Sequence, residues 1–238
     1  MGSKHFCQLV GNTDIYIAGE KVPCCDFVKT LGIVLDKELT FTRHISQLCQ
    51  RAYFSLKQLL PFKYLLDSNV KLLLCESLVL SVFNYADVVY GPCISQTDNQ
   101  RLQKLQNLCI RFITYIPPYT HITPYIRDMN CLKIQERRFL HYAVFLRRIV
   151  NSGCPSYLAD KILLRNLAHD LNLRHVGSTL SIPKHSTSGF KCGFSYLATY
   201  IYNNFLSEIA PVSIPVVKKL IKNLILSNSL DNVNFHLF

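Results

Sequence analysis

Two spacings of apolar residues divide the chain. Over roughly residues 8–35 the pattern is that of β structure: Ile15 and Ile17 alternate with polar neighbours, Ala18 to Lys21 supplies a turn, and FVKTLGIVLD is β-branched and apolar. Gly32 falls inside that second run, which points to a bulge or a close backbone approach. After Leu39 the period becomes helical. Ile45, Leu48, Cys49, Ala52, Leu56, Leu59 and Leu60 form one stripe, with Thr40 or Thr42 as the cap and Pro61 as the stop. Asp67 or Ser68 opens a second helix that runs to about Tyr90, apolar on nearly every side and therefore expected at the centre, with Gly91-Pro92 ending it. Asp98 caps a third helix with Leu102, Leu105, Leu108, Cys109, Phe112 and Ile113 inside, stopped by Pro117-Pro118.

A short helical turn follows at Thr123 to Met129, then a helix over Leu132 to Val150 with Gly153 beyond its end. Residues 166–192 are polar and read as loop, and helices over Phe194 to Leu206 and Ser213 to Leu226 close the chain. No repeat or low-complexity segment interrupts this order. The expectation is a mainly α protein, a helical bundle preceded by a small N-terminal β-hairpin.

Composition adds a partner. Of 238 residues, 49% are hydrophobic and 17% charged, which suits a chain with a real core. The formal net charge is +11, from 26 Lys and Arg against 15 Asp and Glu, and such an excess favours a polyanion, either nucleic acid or an acidic membrane surface. The most apolar stretch, Leu72 to Val89, is broken by Glu76, Asn84 and Asp87 and reads as a buried helix rather than a membrane span. The N-terminus MGSKHFCQLV has no signal-peptide pattern, and Phe6 stands where a myristoylation motif wants Ser or Thr. An intracellular location, nuclear or cytoplasmic, is expected.

Ten cysteines occur without regular spacing and without a C-x-x-C, so reduced core thiols are expected. A zinc site would need Cys154, His169, His175 and Cys192, at spacings that fit no standard knuckle. Bases persist where acids vanish: Arg43, Arg51 and Lys57; Arg101, Lys104, Arg111 and Arg127; Arg137, Arg138, Arg147 and Arg148; Lys218, Lys219 and Lys222. Arg101, Lys104 and Arg111 fall within about 80° on one helix face at roughly 100° per residue. These are either solvated helix faces or phosphate contacts. The segment Asn84 to Tyr90, NYADVVY, approaches the aromatic-x-Asp-Asp tetrad of polymerases, with Val88 in place of the second Asp.

The order of these segments resembles reverse transcriptases of non-LTR retrotransposons of the jockey-like, LINE-type group. Phe27 to Ile45, FVKTLGIVLDKELTFTRHI, is similar to the hairpin that follows their catalytic palm, with Lys29, Leu31, Gly32, Leu35, Asp36, Leu39, Phe41, His44 and Ile45 matching and Thr30 replacing an aromatic. SLVLSVFNYADVVYG, RLQKLQNLCIRFIT, LKIQERRFLHYAVFLRRIVNSGCPSYL, LRHVGSTLSIPKHST and YNNFLSEIAPVSIPVVKKLIKNLIL resemble the segments after it, in the same order. In that family the hairpin is the primer grip, and the catalytic Asp pair lies N-terminal to it. The resemblance therefore implies a palm remnant with the grip hairpin (1–41), a thumb-like helical domain (42–128) and a C-terminal helical region (129–238). It implies a fragment of an RNA-directed DNA polymerase without its catalytic palm, inactive alone, with magnesium belonging only to the complete enzyme. NYADVVY is then structural, with Tyr85 and Asp87 as a buried polar pair or helix-end groups.

The implied partners are RNA, DNA or an RNA–DNA hybrid held through phosphates, with no membrane and no small-molecule substrate. Lys29 and Gly32 belong to the grip, and Arg43, Lys57, Arg101, Lys104 and Arg111 are the candidate backbone contacts. Two other readings stand beside it: a non-catalytic helical protein-interaction module whose charge is incidental, and an RNA-binding accessory that assists a full-length element in trans.

Overall fold

The computed structural model describes residues 14–23, 25–162, 180–185, 187–206, 213–227 and 235. Among them the chain is mostly helical, with two small antiparallel sheets near the N-terminus. It divides into two compact units, 1–122 and 123–238.

The first unit begins with two hairpins, β1 (Ile15–Ile17) with β2 (Glu20–Val22), and β3 (Phe27–Thr30) with β4 (Ile33–Asp36). The registers close on two-residue turns: Ile17 faces Glu20 across Ala18-Gly19, and Thr30 faces Ile33 across Leu31-Gly32. Both turn residues have positive φ in each case, the geometry whose twist matches paired strands. Gly32 is thus in the turn and not inside a strand; the sequence disguised this because Leu31 is an unusual residue at φ 49°. The close approach expected at Gly32 is real, and it comes from a side chain: a Cβ there would lie 3.3 Å from the Tyr85 ring.

The β4-to-helix corner is built by one carboxylate. Asp36 accepts the amides of Glu38 (3.1 Å), Thr40 (2.9 Å) and Phe41 (2.6 Å), and the Thr40 hydroxyl (3.1 Å). Phe41 holds φ 58° while its ring is buried. That left-handed backbone costs about 1–2 kcal/mol for a residue with a Cβ, and the charged acceptor on its N–H offsets it. Helix α1 (Thr42–Leu59) follows with the stripe read from the sequence: Ile45, Leu48, Ala52, Leu56 and Leu59 are buried. His44 joins them, and its Nδ1 accepts the Val34 amide at 3.4 Å, a long bond that ties β4 to α1.

The second helix does not run unbroken to Tyr90. Asp67 caps α2 (Ser68–Leu74), which passes through a wider π turn (Cys75–Leu80) into α3 (Ser81–Asn84). Tyr85 is extended and Ala86 left-handed, and α4 (Asp87–Tyr90) starts anew. It is also not buried all round, since Val70, Leu73 and Leu78 are exposed. Among the described residues no single helix is long and apolar enough to cross a membrane; the bent pair Ser68–Asn84 and Asp87–Cys93 reaches that length only together. Helix α5 (Gln96–Thr114) is capped by Ser95, whose hydroxyl takes the Asp98 amide, so Asp98 serves at the third helical position rather than as the cap. Helices α1, α2 with its π turn, and α5 enclose the core of this unit.

The second unit centres on α7 (Ile134–Ser152), preceded by α6 (Thr123–Asp128). Glu136 accepts the Lys133 amide at the start of α7 and pairs with Arg127 at 2.8 Å. Buried Phe139, Leu140, Ala143, Leu146 and Ile149 face α9 (Phe194–Ile201), its π-turn extension Tyr202–Leu206, and α10 (Ile214–Leu226). Helix α8 (Ser156–Ala159) is a single turn. Asn203 clamps the Leu180 backbone on both sides, accepting its N–H at 2.7 Å and donating to its carbonyl at 3.0 Å. Most of the polar loop expected at 166–192 lies outside the described residues, as do His169 and His175; the described Ser188–Cys192 forms a helical turn.

Two outcomes test the corner. Asp36→Ala should destabilise the chain by about 2 kcal/mol, the order of a lost charged hydrogen bond, read as a lower urea midpoint. His44 is held below its ordinary pKa by burial and then by the Arg51 charge. The unfolded chain therefore binds its proton first, and stability present above about pH 6.5 falls as pH drops toward the folded pKa. His44→Gln should flatten that acid limb of the stability profile, and an unchanged limb would refute the assignment.

Candidate nucleic-acid interface

The candidate cations occupy different kinds of position. Lys29 lies on exposed β3 opposite buried Val34, next to the Leu31-Gly32 turn. Arg43, in the first turn of α1, lays its guanidinium 3.5 Å from the centroid of Phe27 on the same strand. Lys29 and Arg43 thus meet the same strand, β3, whereas Gly32 lies at the closed end of the hairpin, away from the Phe27–Asp36 end that Arg43 covers. Lys57 and Lys104 are exposed, and no ion pair engages Lys29, Lys57 or Lys104 among the described residues. Stacking on Phe27 presets the Arg43 plane while leaving its charge for a partner.

Arg101 and Arg111 are engaged within the protein. Arg101 pairs with Asp98 at 2.9 Å and reaches the Ser46 hydroxyl at 3.2 Å, bridging α5 to α1. Asp98 is buried and also accepts the hydroxyls of Thr42 (3.2 Å) and Ser95 (3.0 Å). Arg111 donates to the carbonyls of Pro117 and, at 3.1 Å, Thr120, holding the turn after α5. Both are half-buried. In the second unit, Arg138 and Arg147 are buried, so the basic run read there is not one solvated face.

NYADVVY is a clamp. The Tyr85 hydroxyl donates to the Leu31 carbonyl at 2.7 Å, reaching the tip of the second hairpin. The Tyr90 hydroxyl donates to the Phe83 carbonyl, and its ring meets His44 edge-on at 5.1 Å. Asp87 is buried in the first turn of α4. Of the two expectations for this pair, helix-end groups fits: Tyr85 caps the C-terminus of α3 and Asp87 begins α4, while Tyr85 is exposed because its ring lies across the hairpin turn rather than in the core. Nucleotidyl transfer uses two metal ions on positioned carboxylates, and no group of three or more His, Cys, Asp or Glu side chains that could hold a metal occurs among the described residues.

Sequence reasoning missed two features. Lys71 is buried in α2, donating to the Tyr115 hydroxyl, with its Nζ 4.1 Å from the Tyr115 ring centroid and 5.9 Å from that of Phe112. A lone Lys in an otherwise apolar helix was the available signal. Tyr53 and Tyr115 fit helical core positions by spacing, yet both are exposed, Tyr53 by 57%. Cys75 and Cys109 are buried beside each other, and their hydrogen bond together with burial pushes the Cys109 thiol far up.

These features define a basic, mainly helical module with a β-hairpin tied at strand and tip. A search of curated proteins finds it similar to the probable RNA-directed DNA polymerase from transposon BS of Drosophila melanogaster, 30% identical over 158 residues, covering 65% of this chain and 17% of that protein. It is also similar to the probable RNA-directed DNA polymerase from transposon X-element of the same organism, 28% identical over 139 residues, covering 57% of this chain and 15% of that one. The chain therefore carries a region related to transposon reverse transcriptases. It spans less than a fifth of the length of either relative. No family model and no solved structure matches.

Two measurements follow from the local geometry. Tyr85→Phe should cost about 1 kcal/mol and speed amide exchange at the hairpin more than in α5; uniform exchange would refute the clamp. Alkylation of the native chain should label exposed Cys25, Cys93 and Cys154 and spare Cys75 and Cys109 until the chain unfolds.

Proposed function

We propose that the chain grips a primer–template duplex by its phosphates, as the hairpin and thumb part of a transposon reverse transcriptase, and supplies no catalytic metal site from its own described residues. The relationship to transposon polymerases carries this reading. The geometry supports it: Lys29 is exposed on β3, the Arg43 guanidinium is preset on Phe27 of the same strand, and Lys57 and Lys104 are exposed and form no ion pair among the described residues. Gly32 leaves room at the hairpin tip for the Tyr85 ring that holds it. Cations of this kind supply affinity and position without reading bases, so binding is sequence-indifferent. Arg101 and Arg111 then act mainly by fixing α5, and their charges add to the field.

A second reading has its own support. The exposed Val70, Leu73 and Leu78 on α2 and its π turn form an apolar face of the kind that docks other protein. It fits a non-catalytic interaction module, or a contact with further polymerase chain.

Fluorescence anisotropy on an RNA–DNA hybrid separates the two. With about five phosphates engaged, log affinity should fall against log salt with a slope of roughly −4 to −5. Arg43→Gln with Lys104→Glu should weaken binding to all sequences alike and flatten the slope by about 2. A flat salt response would favour the protein-interaction reading. Nucleotide incorporation on a primed RNA template should be absent with magnesium or manganese; extension abolished by Asp87→Ala would make NYADVVY catalytic.

A further inference from the structure

A cleft of about 350 Å³ opens where the end of α1 meets the end of α5. Its apolar lining includes Tyr53, Leu108 and Phe112, and Lys57, Lys63 and Arg111 also border it. Among the described residues no acidic side chain lines it. Arg111 fixes one wall by holding the 117–120 turn through two carbonyls. Buried Lys71 stands behind the floor, with Nζ 5.9 Å from the Phe112 ring centroid and no carboxylate partner among the described residues. The apolar lining is open to solvent, Tyr53 by 57% and Leu108 by 42%.

Such a site asks for a small ligand with a flat apolar body and an anionic edge. Its volume lies in the range of small-molecule sites and is far too narrow for a duplex. Clustered cations exclude a neutral hydrophobe as the best occupant, since their desolvation would go uncompensated. We propose that this cleft seats one unpaired nucleotide of a nucleic-acid strand, its base against Tyr53 and Leu108 and its phosphate beside Lys63. The proposal rests on the duplex-gripping reading and adds a distinct subsite to it. Aromatic contact with a base is sequence-tolerant, and cations at the same place hold the backbone. A duplex with an unpaired extension would thereby be bound at two places.

The test compares a blunt RNA–DNA hybrid with the same hybrid carrying a short unpaired extension that contains 2-aminopurine. The extended probe should bind about tenfold tighter, the order of one stacked base, with quenched 2-aminopurine emission. Tyr53→Ala and Leu108→Ser, each at an exposed position and neither changing charge, should abolish both the gain and the quench while leaving the blunt hybrid's affinity and melting temperature unchanged. Equal affinity for the two probes, with salt-dependent blunt binding intact, would overturn the cleft and spare the duplex reading. Absence of binding to either probe would overturn both. An acidic amphipathic peptide that binds wild type and fails on Tyr53→Ala, with 2-aminopurine unquenched, would assign the cleft to a protein and overturn the nucleotide.

Discussion

The first unit depends on one half-exposed carboxylate. Asp36 gathers three amides and a hydroxyl within five residues, and so turns a strand into a helix over a corner that contains two left-handed residues, Leu39 and Phe41. Asp36 holds the amides just ahead of α1, at Thr40 and Phe41, and the Thr40 hydroxyl it anchors accepts the first helical amide, that of Thr42, at 3.4 Å. Once the corner is set, His44 lies opposite β4 and accepts the Val34 amide, and the buried stripe of α1 meets α5. The matching residues of LGIVLDKELTFTRHI are therefore largely the parts of a strand-to-helix joint: Asp36 is the acceptor, Phe41 the strained and buried anchor, His44 the tie.

Legibility in the sequence followed how local each constraint was. The stripe of α1 and the apolar face of α5 depend on spacing alone, and both hold except at Leu60 and Leu108, which spacing assigns to the core and the fold leaves exposed. The break at Tyr85-Ala86 was not legible because neither residue is a helix breaker; the chain leaves the helix there to let Tyr85 reach Leu31, a contact across 54 residues of sequence. Gly32 was placed one step wrong because Leu31 hides a turn inside an apolar run. Arg138 and Arg147 read as surface charge because a one-dimensional pattern carries no record of which helix face a neighbour will cover.

The same contrast holds for the candidate interface. Its residue types were legible from charge, and its geometry was not. Of the three cations that share one face of α5 by angle, Arg101 and Arg111 hold intramolecular partners, while Lys104 stays exposed. Charge counts flag an excess of cations; only the fold says which of them are already employed as struts. Tyr53 makes the converse point, because helical spacing alone assigns it to a core that does not cover it.

The hairpin is attached at two separate points, by the His44 imidazole along β4 and by the Tyr85 hydroxyl at the Leu31 tip. A beam pinned at one point can swing, whereas a beam pinned at two can only bend. Load applied to the Leu31-Gly32 tip passes through Tyr85 into the α3–α4 joint and through β4 into α1, and both paths converge where Tyr90 meets His44. The tip therefore reports position to the buried core of its own unit instead of yielding to whatever presses on it.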